Sequence, residues 1–346
     1  MIRVGIVGAT GYGGAELVRL LAGHPQVRIA NLYSSSSEGE PLDKIFPHVY
    51  NLGLPALSSI DAHHLSKEND VVFFATPAGV SAQLSPQVVE MGGRVIDLSG
   101  DFRLESPAVY QSWYKREPAA EDWIKQAAYG LTEWNKEQVA GAKLIANPGC
   151  YPTATLLGLL PLAKSGWVDP QSWIVDAKSG VSGAGRGVSL GVHFSELNES
   201  IHAYKIGQHQ HTPEIEQELK RQSGVETIVQ FTPHLIPMTR GILATAYGKL
   251  TTQVSADQIQ ELLLSTYADQ PFVRVRPAGS HPRTKEVYGS NYCDIAVHVD
   301  ERTGRVIVLS VIDNVVKGAA GQAIHNMNVM FDLPETAGLP LVPVFP

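Results

Sequence analysis

Two cysteines occur in the chain, in unlike surroundings. Cys150 lies in the run 147–153 (NPGCYPT), directly before an apolar, helix-like stretch at 154–160. Proline is favoured in a first helical turn, so this pattern predicts a thiol just before a helix N-terminus. There the helix dipole favours a thiolate, and backbone amides can stabilise a developing oxyanion. A free cysteine is often only a small buried hydrophobe. We keep that interpretation for Cys293 and predict that Cys150 is a nucleophile.

Two histidines, His209 and His211, stand close together before a polar, helix-like run at 215–221. Thr212 is the predicted N-cap and Pro213 the predicted first helical residue. A thiol nucleophile needs an imidazole that accepts its proton, and the product alkoxide needs a proton, so one histidine can serve both steps. A metal would need further ligands at matching spacing, and the other histidines are scattered. We predict acid–base chemistry and no metal site.

Two arginines are candidate anion-binding residues, because a guanidinium holds a phosphate or carboxylate in a bidentate manner. Arg103 follows a predicted strand end, where open α/β sheets place ligands. Arg186 closes a glycine- and serine-rich loop that starts at Ser179, and backbone amides of such a loop can form an anion-binding nest. The alternative is a flexible surface loop with a solvated arginine. We predict that Arg103, Ser179 and Arg186 bind the substrate.

A glycine-rich turn follows the first predicted strand and precedes an amphipathic helix. Its spacing is G-x-x-G-x-x-G, in which the first glycine permits a tight turn, the second lets a pyrophosphate approach and the third allows close helix–sheet packing. Glycine alone also marks plain turns, but strand, glycines and helix occur here in the order that a dinucleotide site requires. The predicted cofactor-binding residues of the turn are Gly8, Thr10, Gly11, Tyr12, Gly13 and Gly14.

A cluster of serines follows the second predicted strand, where an NAD-preferring site normally carries an acidic residue. An acidic side chain would repel a 2′-phosphate, whereas the hydroxyls of Ser34, Ser35 and Ser37 can donate hydrogen bonds to it. The sequence therefore favours NADP(H) over NAD. A solvated polar loop is the alternative interpretation.

Two kinds of sheet are predicted. Short buried strand candidates alternate with helix-like stretches over residues 1–149, which predicts a parallel, Rossmann-type α/β domain. Longer candidates with alternating polarity predict an α+β catalytic and oligomerisation domain over 150–314, with a largely antiparallel sheet. The segment 315–346, which has helical spacing through Met330 and then a Pro-rich end, is predicted to return to the first domain. The predicted strands are 3–7, 27–32, 70–75, 94–98, 143–146, 173–177, 227–232, 241–250 and 305–312.

Together these motifs resemble the N-acetyl-γ-glutamyl-phosphate reductase family, the arginine-pathway branch of the superfamily that includes aspartate-semialdehyde dehydrogenase. The resemblance spans the whole chain, and the run around Cys150 is its most specific part. It implies that Cys150 attacks a γ-acyl phosphate and that the cofactor is NADPH. The matching segments are 8–14, 97–103, 147–153, 179–186 and 209–215.

The resemblance also implies roles for residues outside the cysteine run. His209 is implied to be the acid–base residue, with His211 and Glu214 in supporting, substrate-binding positions. Asn314 lies in a segment typical of the family and is implied to contact the nicotinamide. Gln210 stands where the family commonly has arginine, which weakens any role for a charge there.

The reaction these expectations describe is the NADPH-dependent reduction of N-acetyl-L-glutamyl 5-phosphate to the 5-semialdehyde, with release of phosphate, through a Cys150 thioester. An aminoadipyl or aspartyl phosphate stays open as the substrate, because a methylene more or less is worth only ~1–3 kcal/mol. A protein that senses NADP without catalysis is a further alternative, but it would have no need of a nucleophile.

Bulk properties restrict the class of protein. The 346 residues carry a formal net charge of −7 without a block of Lys or Arg, so nucleic acid is not an expected partner. The N-terminal run reaches glycine before a signal-peptide hydrophobic stretch forms, and no later apolar run has membrane-spanning length. We expect a cytosolic homo-oligomer, a dimer or tetramer, that acts on a small-molecule acyl phosphate.

Overall fold

Residues 1–345 are described by the structure, a computed structural model of the 346-residue chain. Their contacts divide them into two compact units. The first unit contains Met1–Pro148 and Ala319–Leu339. The second unit contains Gly149–Gly318 and the segment that begins at Pro340. Two seven-stranded sheets form the frameworks of these units.

The sheet of the first unit is parallel at every strand pair. Its strands are β1 (Ile2–Val7), β2 (Val27–Tyr33), β3 (Leu57–Ser58), β4 (Val71–Phe74), β5 (Val95–Asp97), β6 (Ala128–Tyr129) and β7 (Leu144–Ala146). They lie in the order β3-β2-β1-β4-β5-β7-β6. The strand β4 (VVFF) is buried at all four positions, as expected for a strand covered on both faces.

Helices connect these strands. They are α1 (Tyr12–Leu21), α2 (Ala62–Glu68), α3 (Val80–Glu90), α4 (Pro107–Tyr114), α5 (Glu121–Gln126) and α6 (Thr132–Gly141). The strand order reverses between β1 and β4. The carboxyl ends of these two strands lie side by side, where the Ala75 amide donates to the Val7 carbonyl at 2.9 Å. Open α/β sheets bind their ligands at such a switch point.

The sheet of the second unit is mixed and largely antiparallel. Its strands are β8 (Trp173–Gly180), β9 (His202–Ala203), β10 (Val229–Ile236), β11 (Ile242–Lys249), β12 (Val273–Val275), β13 (Cys293–Asp300) and β14 (Arg305–Ile312). They lie in the order β12-β13-β14-β11-β8-β10-β9. The pairs β8–β10 and β12–β13 are parallel, and the other four neighbouring pairs are antiparallel.

One face of this second sheet is covered by helices, and the other is half exposed. The helices of the unit are α7 (Cys150–Ser165), α8 (Phe194–Leu197), α9 (Thr212–Ser223) and α10 (Ala256–Thr266). α7 packs on β11 and β14, and α10 packs on β13. Alternate positions of the strands point to the other face, which we call the open face. Its half-buried apolar side chains are Ile174, Leu243, Tyr247, Ile307 and Leu309.

The last helix, α11 (Gly321–Met330), belongs to the first unit. The sequence predicts this return over 315–346, but residues 315–318 and the segment from Pro340 belong to the second unit. The buried Asp313 carboxylate accepts the amides of Val315 and Val316, which keeps the start of the segment with β14. The Val344 amide donates to the Tyr288 carbonyl at 2.9 Å and keeps the end there.

The predicted fold class is confirmed: a parallel Rossmann-type sheet and a largely antiparallel α+β sheet are both present. All nine predicted strands occur, with ends shifted by a few residues. Two helix starts differ from prediction, because Cys150 is the first residue of α7 and His211 rather than Thr212 is the N-cap of α9. No side chain caps α9 at that position, and Pro213 is its second residue.

Candidate active site

Two glycines of the turn between β1 and α1 are required by the chain itself. Gly8 adopts φ +85°, and a Cβ there would collide with the Ala75 carbonyl oxygen. A Cβ at Gly14 would collide with the Gly8 carbonyl, so α1 packs against the turn only with glycine here. At Gly11 a Cβ would lie 3.5 Å from the Gly8 oxygen, which is an ordinary contact. The fold itself therefore does not require glycine at position 11, and the missing side chain leaves space for a pyrophosphate. The preceding residue, Thr10, is half-buried.

The first turn of α1 presents backbone amides at this turn. The Ala15 amide makes the first helical hydrogen bond, to the Gly11 carbonyl at 2.9 Å. The N–H groups of Tyr12, Gly13 and Gly14 therefore precede the helical ladder. Such amides, together with the helix dipole, suit an anion. The residues present thus fit the pyrophosphate of a dinucleotide.

The serine loop follows β2 at the same edge of the sheet. Ser34 is buried, and its amide donates to the Ser58 carbonyl at 3.1 Å. Its Oγ accepts the Ser36 amide at 3.3 Å, so Ser34 fixes the loop. Ser35 is exposed and Ser37 is half-exposed. Their hydroxyls can donate hydrogen bonds, and their role in binding the 2′-phosphate stays a prediction.

Arg103 is nearly buried, at 7% exposure. Its Nε donates to the Asn147 carbonyl at 2.7 Å, and its Nη2 donates to the Leu98 carbonyl at 2.9 Å. The guanidinium thus orients the peptide that lies three residues before Cys150 in the chain. The predicted role of Arg103 in anion binding stays a prediction beside this structural one.

Two buried carboxylates shape the turn that leads to Arg103. Asp97 accepts the amide and hydroxyl of Ser99, at 2.9 and 2.6 Å. Asp101 accepts the Tyr110 hydroxyl at 2.6 Å. Burial, and then the negative charge of Asp101, raise the pKa of Asp97. The two acids are therefore structural partners of the turn and not solvated surface charges.

Asn147, which opens the cysteine run, is held by α11. Asn326 Nδ2 donates to Asn147 Oδ1 at 3.0 Å and to the Gly130 carbonyl at 2.9 Å. Asn147 Nδ2 donates to the Ala319 carbonyl at 3.3 Å. The Thr132 hydroxyl donates to Asn326 Oδ1. Because both asparagines are buried, these bonds specify one position for the peptide before the cysteine.

Cys150 is half-buried at the first position of α7, and Gly149 is the N-cap. The Gly149 amide donates to Glu214 Oε1 at 2.9 Å. The Gly149 carbonyl accepts the amide and the hydroxyl of Thr153, each at 2.9 Å. The thiol thus lies at the positive end of the helix dipole, as predicted. Since Glu214 occupies the Gly149 amide, amides that stabilise an oxyanion must come from the helix itself.

Two glycines allow the chain to enclose this cysteine. A Cβ at Gly149 would collide with the imidazole of His211. A Cβ at Gly318 would lie 2.8 Å from the Cys150 Cβ and 3.1 Å from Ile312 Cδ1. His211 therefore lies against the peptide that precedes the thiol, while Gly318 lies against the cysteine itself.

His209 is buried among aromatic rings of the second unit. Its ring centroid lies 5.5 Å from that of Tyr151, 5.6 Å from that of Tyr204 and 5.4 Å from that of Phe231. The His211 ring lies 4.8 Å away. The structure thus brings together both predicted histidines and the residue that follows Cys150.

The hydrogen bonds of His209 determine its tautomer. The His211 amide donates to His209 Nδ1 at 3.2 Å, so the neutral ring carries its proton on Nε2. Burial, and then the positive charge of Lys205, lower the pKa of His209 to about 3. At neutral pH, His209 is therefore an uncharged ring that offers an N–H donor.

A chain of hydroxyls adjoins these rings. The Tyr204 hydroxyl donates to the Tyr151 hydroxyl at 3.1 Å, and the latter donates to the His234 carbonyl at 3.3 Å. Burial, and in addition the negative charge of Cys150, raise the pKa of Tyr204 to about 12. Both tyrosines therefore stay protonated and lie within electrostatic reach of the thiolate.

The loop Ser179–Arg186 is anchored at its start and exposed at its end. Ser179 is 1% exposed, and its hydroxyl donates to the Gly180 carbonyl at 3.0 Å. The Val181 amide donates to the Met238 carbonyl at 2.8 Å. Arg186 is exposed. Of the two residues of this loop that are predicted to bind the substrate, Ser179 is thus buried and Arg186 is exposed.

Asn314 holds the same loop. Its Oδ1 accepts the Gly241 amide at 2.7 Å, and its Nδ2 donates to Ser182 Oγ at 3.0 Å. The side chain is buried and uses both polar atoms within the second unit. Its predicted contact with a nicotinamide stays a prediction, and its structural role is to fix the loop.

Asp61, His63 and His64 are the group of metal-ligating side chains that residues 1–345 bring together. All three are exposed. Asp61 Oδ1 accepts the amides of His63 and His64 at 3.0 and 3.1 Å and so caps α2. Helix capping accounts for the acid at this position.

Sequence reasoning missed Tyr151, Tyr204 and Asn326. Tyr151 follows the cysteine directly and Tyr204 lies five residues before His209, so proximity in sequence could have pointed to them. Asn326 lies 179 residues from its partner Asn147, and nothing local identifies it.

No helix within residues 1–345 is long and apolar enough to cross a bilayer.

Family models match both parts of the chain. The model described as "Semialdehyde dehydrogenase, NAD binding domain" matches residues 3–142. The model described as "Semialdehyde dehydrogenase, dimerisation domain" matches residues 150–314.

Curated relatives match over their full length. An N-acetyl-gamma-glutamyl-phosphate reductase of Brevibacillus brevis is 76% identical over 346 residues, with 100% of each chain covered. The protein of the same name from Bacillus subtilis is 54% identical, again with 100% of each chain covered.

Solved structures share the fold at low identity. Aspartate semialdehyde dehydrogenase II of Vibrio cholerae, complexed with ASA, aligns with a TM-score of 0.73 at 18% identity, covering 96% of this chain and 98% of that one. Aspartate semialdehyde dehydrogenase of Candida albicans with NADP aligns with a TM-score of 0.70 at 19% identity, with the same coverage.

Proposed function

We propose, because this chain belongs to the N-acetyl-gamma-glutamyl-phosphate reductase family, that it reduces N-acetyl-L-glutamyl 5-phosphate to N-acetyl-L-glutamate 5-semialdehyde with NADPH and releases phosphate. Membership confirms the resemblance that the motifs suggest. The observation that carries the proposal is the half-buried Cys150 at the N-terminus of α7, in the same unit as His209 and His211. The names of the relatives supply the substrate.

Cys150 is the nucleophile. Its thiolate attacks the γ-carbonyl carbon, the bond from that carbon to the phosphate oxygen breaks, and phosphate leaves a thioester behind. Addition of hydride gives a thiohemiacetal anion, which collapses to the aldehyde and the free thiolate. The first-turn amides of α7 stabilise the oxyanion at both tetrahedral stages.

His209 acts as a hydrogen-bond donor in this proposal. With Nδ1 occupied by the His211 amide, its Nε2–H is directed to an oxygen of the reacting group. A ring with a pKa of about 3 accepts a proton weakly near neutrality, which favours the donor role for the substrate-free ring. The double acid–base role that the sequence suggests stays a prediction.

The first unit would hold the cofactor. Bound NADPH would supply the hydride. The turn at residues 8–14 would hold the pyrophosphate, with room at Gly11 and amides at the start of α1. Ser35 and Ser37 would donate hydrogen bonds to the 2′-phosphate from a loop that Ser34 fixes, and Asn314 stays the predicted contact of the nicotinamide.

Anionic groups of the substrate require cations and hydrogen-bond donors. Arg103, Ser179, Arg186 and His211 supply these. Glu214 does not suit a substrate that carries a carboxylate and a phosphate, because its own charge is negative. We propose instead that Glu214 is a positioning residue, which fixes the peptide before Cys150 through the Gly149 amide.

Cys150→Ser tests the thioester. We expect the rate of phosphate-dependent NADP reduction with N-acetylglutamate semialdehyde to fall by about 10³-fold or more, as is typical when a nucleophile is removed. The reason is that serine does not form a comparable anion at neutral pH. Cys293→Ser is the control, because that thiol is buried in β13, 3.3 Å from Ser310 Oγ. Undiminished turnover by the Cys150 variant rules out thioester chemistry, and a better rate on aspartyl or aminoadipyl phosphate overturns the substrate.

The same proposal includes a homodimer or tetramer in the cytosol. Residues 150–314 match a dimerisation domain, and the open face of the second sheet presents apolar side chains that a second copy can cover. Neither Cys150 nor Cys293 forms a disulfide, as is usual in a reducing compartment.

A further inference from the structure

Every polar atom of Asn147 is bonded within the first unit. Its amide donates to the Asp97 carbonyl at 2.8 Å, and its carbonyl accepts Arg103 Nε at 2.7 Å. Its side chain accepts Asn326 Nδ2 at 3.0 Å and donates to the Ala319 carbonyl at 3.3 Å. The residue is 1% exposed, so these bonds are shielded from solvent. The partners of Asn147 therefore fix its position.

Little conformational freedom remains between Asn147 and the nucleophile. The ring of Pro148 fixes its own φ. The amide and the carbonyl of Gly149 are both hydrogen-bonded, so this peptide is also held. A shift of Asn147 is therefore passed along the chain to Cys150 and is not absorbed between the two residues.

A second connection to the nucleophile runs through the π-helix Val316–Ala320. The Ala319 carbonyl accepts the side-chain amide of Asn147. The residue before it, Gly318, packs so closely on the cysteine that a Cβ there would lie 2.8 Å from the Cys150 Cβ. π-Helices are rare and occur frequently at functional sites. The Asn147 side chain thus also holds the segment that packs on the cysteine.

Asn326, the partner of Asn147 in α11, is itself held in one orientation. Its Nδ2 donates to the Gly130 carbonyl as well, at 2.9 Å, and its Oδ1 accepts the Thr132 hydroxyl. A Cβ at Gly130 would collide with Asn326 Nδ2, so the chain approaches this amide closely. The side chain is fully buried. Because the nitrogen and the oxygen of the amide each have fixed partners, the N–H group stays directed at Asn147.

A second buried asparagine of α11 makes the same number of hydrogen bonds elsewhere. Asn328 Nδ2 donates to the carbonyls of Glu335 and Ala337 at 3.0 and 2.9 Å. Its Oδ1 lies 3.0 Å from His24 Nε2. Asn328 is fully buried too, but these partners lie outside the cysteine run at 147–153. Of the two asparagines, Asn326 alone is bonded to that run.

We propose, on the basis of the proposed reductase function, that Asn326 is a positioning residue for the nucleophile. Through Asn147 it holds the peptide before Cys150, and with it the thiol, at the N-terminus of α7. Asn326 itself touches neither substrate nor cofactor in this proposal. Its contribution is that the thiol stays in place at the helix start without readjustment during the reaction.

Asn326→Ala tests this beside its matched control, Asn328→Ala. Each change removes three buried hydrogen bonds, so both should lower the urea midpoint of unfolding. Only Asn326→Ala should lower kcat, by about 10- to 100-fold with a nearly unchanged KM for the semialdehyde, as expected when a reacting group is misplaced. Its pH midpoint for alkylation of Cys150 by iodoacetamide should rise towards ~8.5, the ordinary range of a free cysteine. All proteins carry Cys293→Ser, so that the label reports one thiol.

A double-mutant cycle separates action through Asn147 from any other effect. Asn147→Ala removes the group through which Asn326 is proposed to act. Adding Asn326→Ala to it should therefore change the alkylation rate at pH 7 by less than about twofold. Losses that multiply in the double variant overturn the proposal. A wild-type alkylation profile in Asn326→Ala overturns it too, and so does an Asn328→Ala protein that is equally impaired in kcat.

Thr132→Val keeps the test decisive if Asn326→Ala does not fold. Valine has the shape of threonine but lacks the hydroxyl that holds Asn326 Oδ1, so the amide can turn away from Asn147. We expect kcat to fall roughly threefold, the value of one neutral hydrogen bond, and the alkylation midpoint to rise. A wild-type alkylation profile in this variant would assign Asn326 to folding alone and overturn the proposal.

Alkylation requires neither cofactor nor substrate, so it distinguishes this proposal from the proposed function. A chain without reductase activity that still shows the expected alkylation pattern overturns the function and supports the positioning of the thiol by Asn326. A chain with wild-type reductase activity in Asn326→Ala supports the function and overturns the positioning.

Discussion

The protonation state of His209 decides what this side chain can contribute to the thiol chemistry. From the sequence, a histidine near a reactive cysteine is a proton acceptor, because its ordinary pKa lies near neutrality. The structure buries the ring and directs the His211 amide at Nδ1, and both effects disfavour a second proton. Burial and tautomer depend on residues packed around the ring, so the sequence reveals the residue but not its charge.

The same burial predicts that His209 makes the fold sensitive to acid. Its pKa is about 3 in the native state, against 6.5 for the ordinary group, so between these values only the unfolded chain takes up the proton. Stability is therefore unaffected above pH 6.5 and falls as the pH drops towards 3. At pH 5 we expect wild type to have lost about 2 kcal/mol from this residue. Urea unfolding at pH 7.5 and 5 measures the loss.

His209→Asn is the matched variant, because asparagine can accept the same backbone amide through Oδ1 but cannot titrate. Between pH 7.5 and pH 5, the free energy of unfolding of His209→Asn should fall by about 2 kcal/mol less than that of wild type. Equal changes in the free energy of unfolding of the two proteins would show that the native His209 ring takes up a proton near its ordinary pKa of 6.5.

At the scale of elements, the contact between the start of α7 and the His211 ring sets the backbone requirement at Gly149. A Cβ at Gly149 would collide with the ring, so we expect Gly149→Ala to cost about 1–3 kcal/mol and to slow alkylation of Cys150 by iodoacetamide. Gly141→Ala is the control, since a Cβ at the end of α6 meets nothing within 4 Å. Gly141→Ala should not lower the free energy of unfolding and can raise it by about 0.5–1 kcal/mol. Thermal unfolding with alkylation rates measures both, and equal effects would contradict the contact.

Elements with a local signal could be predicted from the sequence, and those without one could not. The turn at Gly8–Gly14 is recognisable because strand, glycines and helix are consecutive. Gly149 carries no such signal, since its constraint comes from a ring 62 residues later. The two-residue strands β3, β6 and β9 were missed because they are defined by pairing and are too short to show a period. The start of α9 was misplaced by one residue, because a backbone bond to an imidazole holds His211 where a side-chain cap was expected.

For the whole molecule, the path of the chain after β14 could be predicted only in part. Apolar spacing predicts α11, and the first unit does contain it. The exact division depends on single buried groups such as Asp313, whose pKa is raised by burial and whose oxygens hold the neighbouring amides. Such groups look like any other polar residue in a sequence.

The stretch that follows α11 is held in the first unit by Glu335. Its Oε2 bonds to His325 Nε2 at 2.8 Å, and its other oxygen pairs with Lys136. The hydrogen bond from His325, followed by that from Lys136, lowers the pKa of Glu335 to about 2. The stabilisation is therefore present above about pH 4.5, the ordinary range of a glutamate, and is lost as the pH falls towards 2.

Glu335→Gln should accordingly be less stable than wild type at pH 5.5, by about 1 kcal/mol once solvent screening is allowed for, and the difference should fall to roughly half of that or less at pH 3. Glu121→Gln is the control, because it breaks a fully exposed ion pair with Lys125 that should contribute almost nothing at either pH. Denaturant unfolding at the two pH values measures the free energy of unfolding of each protein. His209 and other acid-sensitive groups titrate equally in all three proteins and cancel in the differences. A Glu335 deficit that persists unchanged at pH 3 would mean that the side chain acts by packing and not by its charge.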